Sequence, residues 1–259
     1  MSSADLYTAT HHADAKGPRV VLVHGAPDRS KNFARVIRQL PDLRVTAYDR
    51  RGYGRSVDAA VDDNGAFRGG FKVHAEDLIA LLDDEPSVVV AQSAGGAIAM
   101  LAATMAPELF LSLGAWEPPM VPYDWWVGEE AMRRTMEWTR YDDTEVLGED
   151  MNRSMLGDDR WEALNDETKV MLRAEGAAFR ADMVCQAAPL FDVDRLSVPF
   201  VAGHGTAMPE EFIQANRRLA ERTNAIPFVG EGIDHYAHLS APDVWARLVR
   251  RTVEAARLR

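Results

Sequence analysis

An α/β fold, with a mostly parallel sheet covered by helices on both faces, is the architecture this sequence predicts. Three observations predict it. Short runs that are apolar throughout alternate with longer amphipathic segments. The runs are rich in β-branched residues and lack polar alternation, as strands do when both faces of a sheet are covered. The alternation breaks once, from Pro118 to about Ala188, where three or four helical patterns follow one another with no strand signal between them.

Taken in order, Arg19–His24 (RVVLVH) reads as a buried strand, followed by a helical pattern over Ser30–Leu40. Leu43–Tyr48 is the next strand and Phe71–Leu82 the next helix. Ser87–Gln92 (SVVVAQ) is a strand that runs straight into a small-residue helix, Ala94–Ala106. Phe110–Glu117 closes this first series. The helical block includes patterns at Gly128–Tyr141 and Asp166–Ala187. Strand Val198–His204, helix Pro209–Arg222, strand Ala225–Val229 and helix Ala241–Arg257 resume the alternation. The block therefore divides the chain into a core, residues 1–118 and 189–259, and a helical insertion, residues 119–188. No internal repeat or low-complexity tract is present.

Composition narrows the partners. The net charge of -11 disfavours nucleic acid and anionic membrane surfaces, which attract basic patches. The N-terminal segment has no apolar signal-peptide region, and no run approaches the length needed to span a bilayer. The lone cysteine, Cys185, allows no internal disulfide and fits a reducing compartment. A cytoplasmic protein is expected, with a homodimer left open. No metal-ligand spacing, dinucleotide fingerprint or phosphate loop occurs, so no cofactor is expected.

The chemistry-bearing segment is VVVAQSAGGAIAML. A serine between a buried strand and a helix sits on a sharp turn that crowds the positions two before and two after it. Ala91 and Gly95 are small enough. Such a turn lifts the Ser93 hydroxyl out of the sheet and sets backbone N–H groups beside it. The plainer alternative is a serine capping a buried helix.

Around Ser93 the chain resembles the α/β-hydrolase superfamily over nearly its whole length. The matching residues are VVLVHGAP at 20–27, YDRRGYGRS at 48–56, AQSAG at 91–95, VPFVAGHGTAMP at 198–209 and GIDHYAHLSAP at 232–242. Alanine stands where that family's G-x-S-x-G signature has its first glycine. The resemblance implies a mostly parallel α/β-hydrolase sheet flanked by helices, with a helical cap inserted after the family's strand 6, here Phe110–Glu117. The short N-terminal part implies that one of the family's first two strands is missing.

The resemblance also implies roles. The oxyanion hole would be the amides of Ala26 and Ala94. The base would be His235, placed by Gly232, with His238 as the alternative. His24 would brace loops, and Asp49 the end of its strand. The acid is displaced: Met208 occupies the position where the family has aspartate. Glu117, ending the strand between the nucleophile strand and the next, could reach the same histidine, as in certain haloalkane dehalogenases. Glu210 or Glu211, or a dyad without an acid, remain open, while Asp234 adjoins His235 and would not face it.

Five of the six tryptophans and seven of the eleven methionines lie between 116 and 183, which points to an adaptable apolar pocket at the insertion. Trp116, Trp125, Trp126, Met132 and Met136 are its expected lining, although packing among helices explains part of this enrichment. The expected substrate is a small hydrophobic carboxylic ester, thioester or lactone, cleaved through an acyl-enzyme. Cofactor-free haloperoxidase or perhydrolase chemistry, C–C bond hydrolysis and a non-catalytic binding protein are the rival readings.

Overall fold

The structure, a computed structural model, describes residues 6–62, 66–126, 129–187 and 191–258. Residues 1–5, the expected helix start at Gly128 and the expected boundary at 188–189 lie outside them. Seven strands form one sheet: β1 (Thr8–His11), β2 (Arg19–Val23), β3 (Arg44–Tyr48), β4 (Ser87–Gln92), β5 (Phe110–Trp116), β6 (Phe200–Gly205) and β7 (Ile226–Gly230). Their order is β1-β3-β2-β4-β5-β6-β7, and every pairing except β1 with β3 is parallel. This is the α/β-hydrolase fold. The fully buried β4 lies between β2 and β5, which explains its unbroken apolar sequence. The sequence reading missed β1, a mostly exposed antiparallel edge strand with the polar sequence TATH.

Side-chain alternation along the strands divides the core in two. Val21, Val23, Val89, Ala91 and Leu113 face α2 (Phe71–Leu82) and α3 (Ala94–Met105). Val20, Leu22, Val88, Val90 and Val201 face α1 (Ala34–Ile37) and, at the end of the chain, α10 (Pro242–Ala255). The expected helix over Ser30–Leu40 is shorter than predicted. Its first part is a 3-10 turn, Ser30–Phe33, whose leading amide, that of Ser30, donates to the Asp49 carboxylate at 2.7 Å. Asp49 also accepts from the Arg55 amide at 3.0 Å, so it ties two loops to the end of β3.

Between β5 and β6 the chain forms α4 (Glu129–Thr139), α5 (Thr144–Leu156), α6 (Asp158–Glu162), α7 (Asp166–Ala174) and α8 (Gly176–Gln186). Asp143 caps α5 through the amides of Glu145 and Val146, and Asn165 caps α7 through that of Thr168. The single helix expected over Asp166–Ala187 is two. It breaks at Glu175, whose carboxylate turns inward to the Arg29 guanidinium (2.8 and 3.0 Å) and the Gly54 amide (2.8 Å). No helix among the described residues is long and apolar enough to cross a membrane.

A second buried carboxylate ties α8 to the loop after β3. Asp182 on α8 accepts from Arg50 at 2.9 Å and from the Tyr53 hydroxyl at 2.8 Å, with His74 Nε2 at 3.2 Å. Arg50 in turn donates to the carbonyls of His24 (3.0 Å) and Gly25 (2.9 Å). The two carboxylates titrate in opposite directions. Burial opposes ionisation of Asp182, but Arg50 and His74 outweigh it and hold its pKa well below the usual range. Burial dominates at Glu175 and pushes its pKa up to about 7, against the lowering influence of Arg29 and the Gly54 amide.

That shift gives a pH prediction. The raised folded-state pKa means the folded chain binds more protons than the unfolded one between about 4.5 and about 7. The stabilising contribution is whole below that window and lost as pH rises through it, on the order of 3 kcal/mol in all. Glu175→Gln should therefore gain on the wild type between pH 5 and pH 8 in urea denaturation. An unchanged gap between the two proteins at both pH values refutes this account.

Candidate active site

β4 ends at Gln92, and the next residue makes the turn into α3. Ser93 has φ 51° and ψ -127°, outside the regions open to ordinary L residues. The strain is of order 1–3 kcal/mol and is held by backbone hydrogen bonds. The Ser93 amide donates to the Trp116 carbonyl at 2.8 Å, and the Gly96 amide to the Ser93 carbonyl at 2.7 Å. Gly95 is required by close approach: a Cβ there would lie 2.4 Å from the His24 carbonyl oxygen. Beside this turn runs His24-Gly25-Ala26. Among the described residues, neither the Ala26 nor the Ala94 amide donates to a protein acceptor.

His24 is sealed beneath the site. Its Nδ1 lies 2.8 Å from the Gly25 carbonyl, and its Nε2 accepts from the Arg50 amide at 2.8 Å. Burial, reinforced by Arg50, lowers its pKa to about 3, so it is a neutral brace. His238 is also buried, beside the rings of Phe33 and Trp245, with Nε2 at 2.9 Å from Asp28 Oδ2. Burial would raise the Asp28 pKa, but His238 overrides it and brings it to about 2.

His235 follows β7 on a loop turned by Gly232, which has φ 69°. Its Nδ1 lies 2.6 Å from Glu117 Oε2. Glu117 has φ 48° and is 6% exposed. Its amide donates to the Gly203 carbonyl at 2.9 Å, and its Oε1 accepts from the Gly205 amide at 2.8 Å. The carboxylate is thus fixed by the neighbouring strand β6 and aimed at the imidazole. The other carboxylates point elsewhere. Asp234 accepts from the Tyr236 amide and the Ser240 hydroxyl, Glu210 pairs with Gln214, and Glu211 is exposed.

Sequence reasoning missed Gln92. Its Nε2 donates to His235 Nε2 at 3.1 Å and reaches the His235 carbonyl at 3.4 Å. With Nδ1–H given to Glu117, Nε2 is the imidazole's acceptor, and among the described residues Gln92 occupies it rather than Ser93. No motif signals this, because the residue before the serine is unconstrained in G-x-S-x-G.

Ser93, His235 and Glu117 open onto a cavity of about 380 Å³. Pro119, Val121, Trp126, Met208, Phe212 and Tyr236 supply its apolar wall, and Thr135, Gln186 and Asn216 add polar groups. Of the five side chains expected to line a pocket, Trp126 does. Trp116 lies fully buried on the α10 side of the sheet, in a slot cleared by Gly203 and Gly230, because alternation along β5 turns it away from the face Glu117 presents. Trp125 packs against Tyr123 and beneath Arg222, whose guanidinium is 5.3 Å from its ring centre. Met132 packs on the core and Met136 is exposed.

A model described as "Alpha/beta hydrolase family" matches residues 20–248. Lipase LipV of Mycobacterium tuberculosis is 34% identical over 117 residues, a match covering 41% of this chain and 41% of LipV. The chain thus spans about two fifths of the length of that relative. Among solved structures, a carboxylesterase of Nitrososphaera gargenis superposes with a TM-score of 0.70 at 18% identity, covering 98% of this chain and 95% of that one. A bromoperoxidase of Bacillus anthracis gives 0.68 at 17% identity, covering 96% and 95%.

Proposed function

Because this chain belongs to the alpha/beta hydrolase family, we propose that it is a serine hydrolase that cleaves a small carboxylic ester, thioester or lactone. The observation that carries this reading is the buried Glu117 carboxylate 2.6 Å from His235 Nδ1, in a cavity that also holds the strained Ser93.

Glu117 fixes the tautomer of His235 with its proton on Nδ1, leaving Nε2 as base. As substrate enters, Gln92 cedes that nitrogen to the Ser93 hydroxyl. Oγ attacks the carbonyl carbon while its proton passes to Nε2, and the Ala26 and Ala94 amides receive the developing oxyanion. The tetrahedral intermediate collapses, and His235 returns the proton to the departing alcohol or thiol. Water, deprotonated by the same nitrogen, then attacks the acyl-Ser93 ester and releases the acid. The helical insertion acts as a cap that keeps the acyl-enzyme from bulk water. A cavity of about 380 Å³ suits a small substrate.

A fluorophosphonate probe tests the reading. Stoichiometric labelling at Ser93, located by mass spectrometry and blocked by ester substrates, is expected. Ligand binding without any labelling or turnover would make the protein a binder on a hydrolase scaffold.

A further inference from the structure

The Ala26 amide, one of the two oxyanion donors invoked above, follows a glycine placed by close approach. A Cβ on Gly25 would lie 2.0 Å from Gln92 Oε1 and 3.0 Å from Ser93 Cβ. Glycine is what lets the loop pass this close to the nucleophile without displacing Gln92. It also leaves the backbone free to rotate. The Gly25–Ala26 peptide could therefore turn over and present a carbonyl where an N–H is needed. The structure ties it down from the carbonyl side. The Gly25 carbonyl accepts from Arg50 Nη2 at 2.9 Å and from His24 Nδ1 at 2.8 Å. That His24 nitrogen carries the ring proton, because Nε2 accepts from the Arg50 amide at 2.8 Å. Arg50 Nε donates to the preceding carbonyl, that of His24, at 3.0 Å. The Gly25–Ala26 peptide is trans, so its C=O and N–H point in opposite directions. A carbonyl drawn to Arg50 thus leaves the Ala26 N–H facing the other way, with no protein acceptor among the described residues.

We propose that Arg50 is a positioning residue for the reaction: its guanidinium, held by Asp182 on α8, clamps the Gly25 carbonyl and so aims the Ala26 N–H at the oxyanion. The clamp uses the fork of the guanidinium. Nη2 reaches both the Gly25 carbonyl and Asp182 Oδ2, each at 2.9 Å, while Nε serves the His24 carbonyl. Tyr53 steadies the same carboxylate through its hydroxyl, at 2.8 Å, and its ring centre lies 4.6 Å from the guanidinium carbon. Arg50 is buried, so solvent does not compete for the two carbonyls. A cation at the carbonyl end also polarises the peptide and strengthens its N–H as a donor. An ion pair that served only to dock α8 would need the bond to Asp182, and not two further bonds into the loop that carries Ala26. Neither Arg50 nor Asp182 lines the cavity that holds Ser93. Both act through the peptide, and the insertion contributes to the oxyanion hole without touching the substrate.

This inference rests on reading the cavity as the acyl-transfer site, and its test separates the two. Arg50→Lys keeps a charge beside Asp182, but a single ammonium cannot reproduce the fork that holds the carboxylate and both carbonyls. With p-nitrophenyl butyrate as substrate, kcat should fall by about tenfold to a thousandfold, up to the loss of one oxyanion donor. KM should move by less than about threefold. The second measurement is inhibition by trifluoromethyl butyl ketone. Ser93 Oγ adds to its carbonyl carbon, the hydroxyl proton passes to His235 Nε2, and the former carbonyl oxygen becomes an anion in the hole. Affinity for the ketone should weaken by a factor close to the loss in kcat. A residue that only supported the fold would lower the melting temperature without linking those two losses. Arg50→Met combined with Asp182→Leu removes the pair without stranding a buried charge, and it carries the test if Arg50→Lys does not fold. If neither folds, NMR of the wild type decides: the Ala26 amide proton should move downfield when the ketone binds, and an unmoved resonance overturns the inference. A folded variant with kcat within about threefold of wild type, or one that loses kcat yet binds the ketone as tightly as wild type, overturns it and leaves the acyl-transfer reading standing. A wild type that neither hydrolyses the ester nor binds the ketone overturns both.

Discussion

Ser93→Ala should lower kcat for any ester the protein hydrolyses by on the order of 10⁵–10⁶, the loss typical of a removed nucleophile. The effect is expected in kcat rather than KM, because the hydroxyl forms a bond to substrate only on the way to the intermediate. Stability should change little. Alanine tolerates the φ of 51° at this turn no worse than serine does, and the backbone bonds that hold the turn, to Trp116 and from Gly96 and Ala97, remain. A variant with an unaltered melting temperature and a residual rate above about a hundredth of wild type would remove Ser93 from the reaction, since no other nucleophile could supply that much.

Glu117→Gln should cost about 10⁴ in kcat, as for other triad acids that lose their charge. The oxygen of glutamine can still accept from the Gly205 amide, now 2.8 Å from Oε1. That choice turns the NH₂ group towards His235 Nδ1, where the carboxylate oxygen stands at 2.6 Å. A donor facing a donor drives the imidazole to its other tautomer, with the proton on Nε2 and no base for Ser93. Glu117→Asp, which keeps the charge but shortens the reach, should recover part of the loss. Steady-state kinetics on all three proteins measures this. A Glu117→Gln enzyme within tenfold of wild type would show that the carboxylate plays no part in catalysis.

The sheet was legible because its strands are buried on both faces, and that leaves an unbroken apolar run in the sequence. β1 was not, because an edge strand of TATH has no face to bury. The neighbourhood of Glu117 and His235 could be read from a substitution: Met208 stands where a carboxylate is expected, and strand order leaves Glu117 within reach. Gln92 could not be read, since its position tolerates any side chain and its bond to His235 spans 143 residues. Counting tryptophans and methionines located the cavity only roughly. Whether an aromatic faces a ligand or a core depends on the alternation of one strand, and Trp116 and Glu117, adjacent in sequence, part to opposite faces. The break at Glu175 was hidden for a similar reason: helical periodicity does not record a carboxylate drawn aside by Arg29, 146 residues away.

The two buried pairs, Arg50–Asp182 and Arg29–Glu175, bear on how molecules come and go. Swinging α8 away from the sheet would break both contacts, and with them the hydrogen bonds from the Tyr53 hydroxyl and the Gly54 amide. Exchange through that flank would be slow. The opposite wall, Pro119 to Trp126 with α9 (Glu210–Arg222) facing it, has no comparable anchor among the described residues. Its ties across to α9 include the Arg218 guanidinium on the Trp125 carbonyl, at 3.1 Å and exposed, and the Arg222 guanidinium over the Trp125 ring. Of the two flanks, the Pro119–Trp126 wall is therefore the one that would yield first if the cavity widens to admit a substrate.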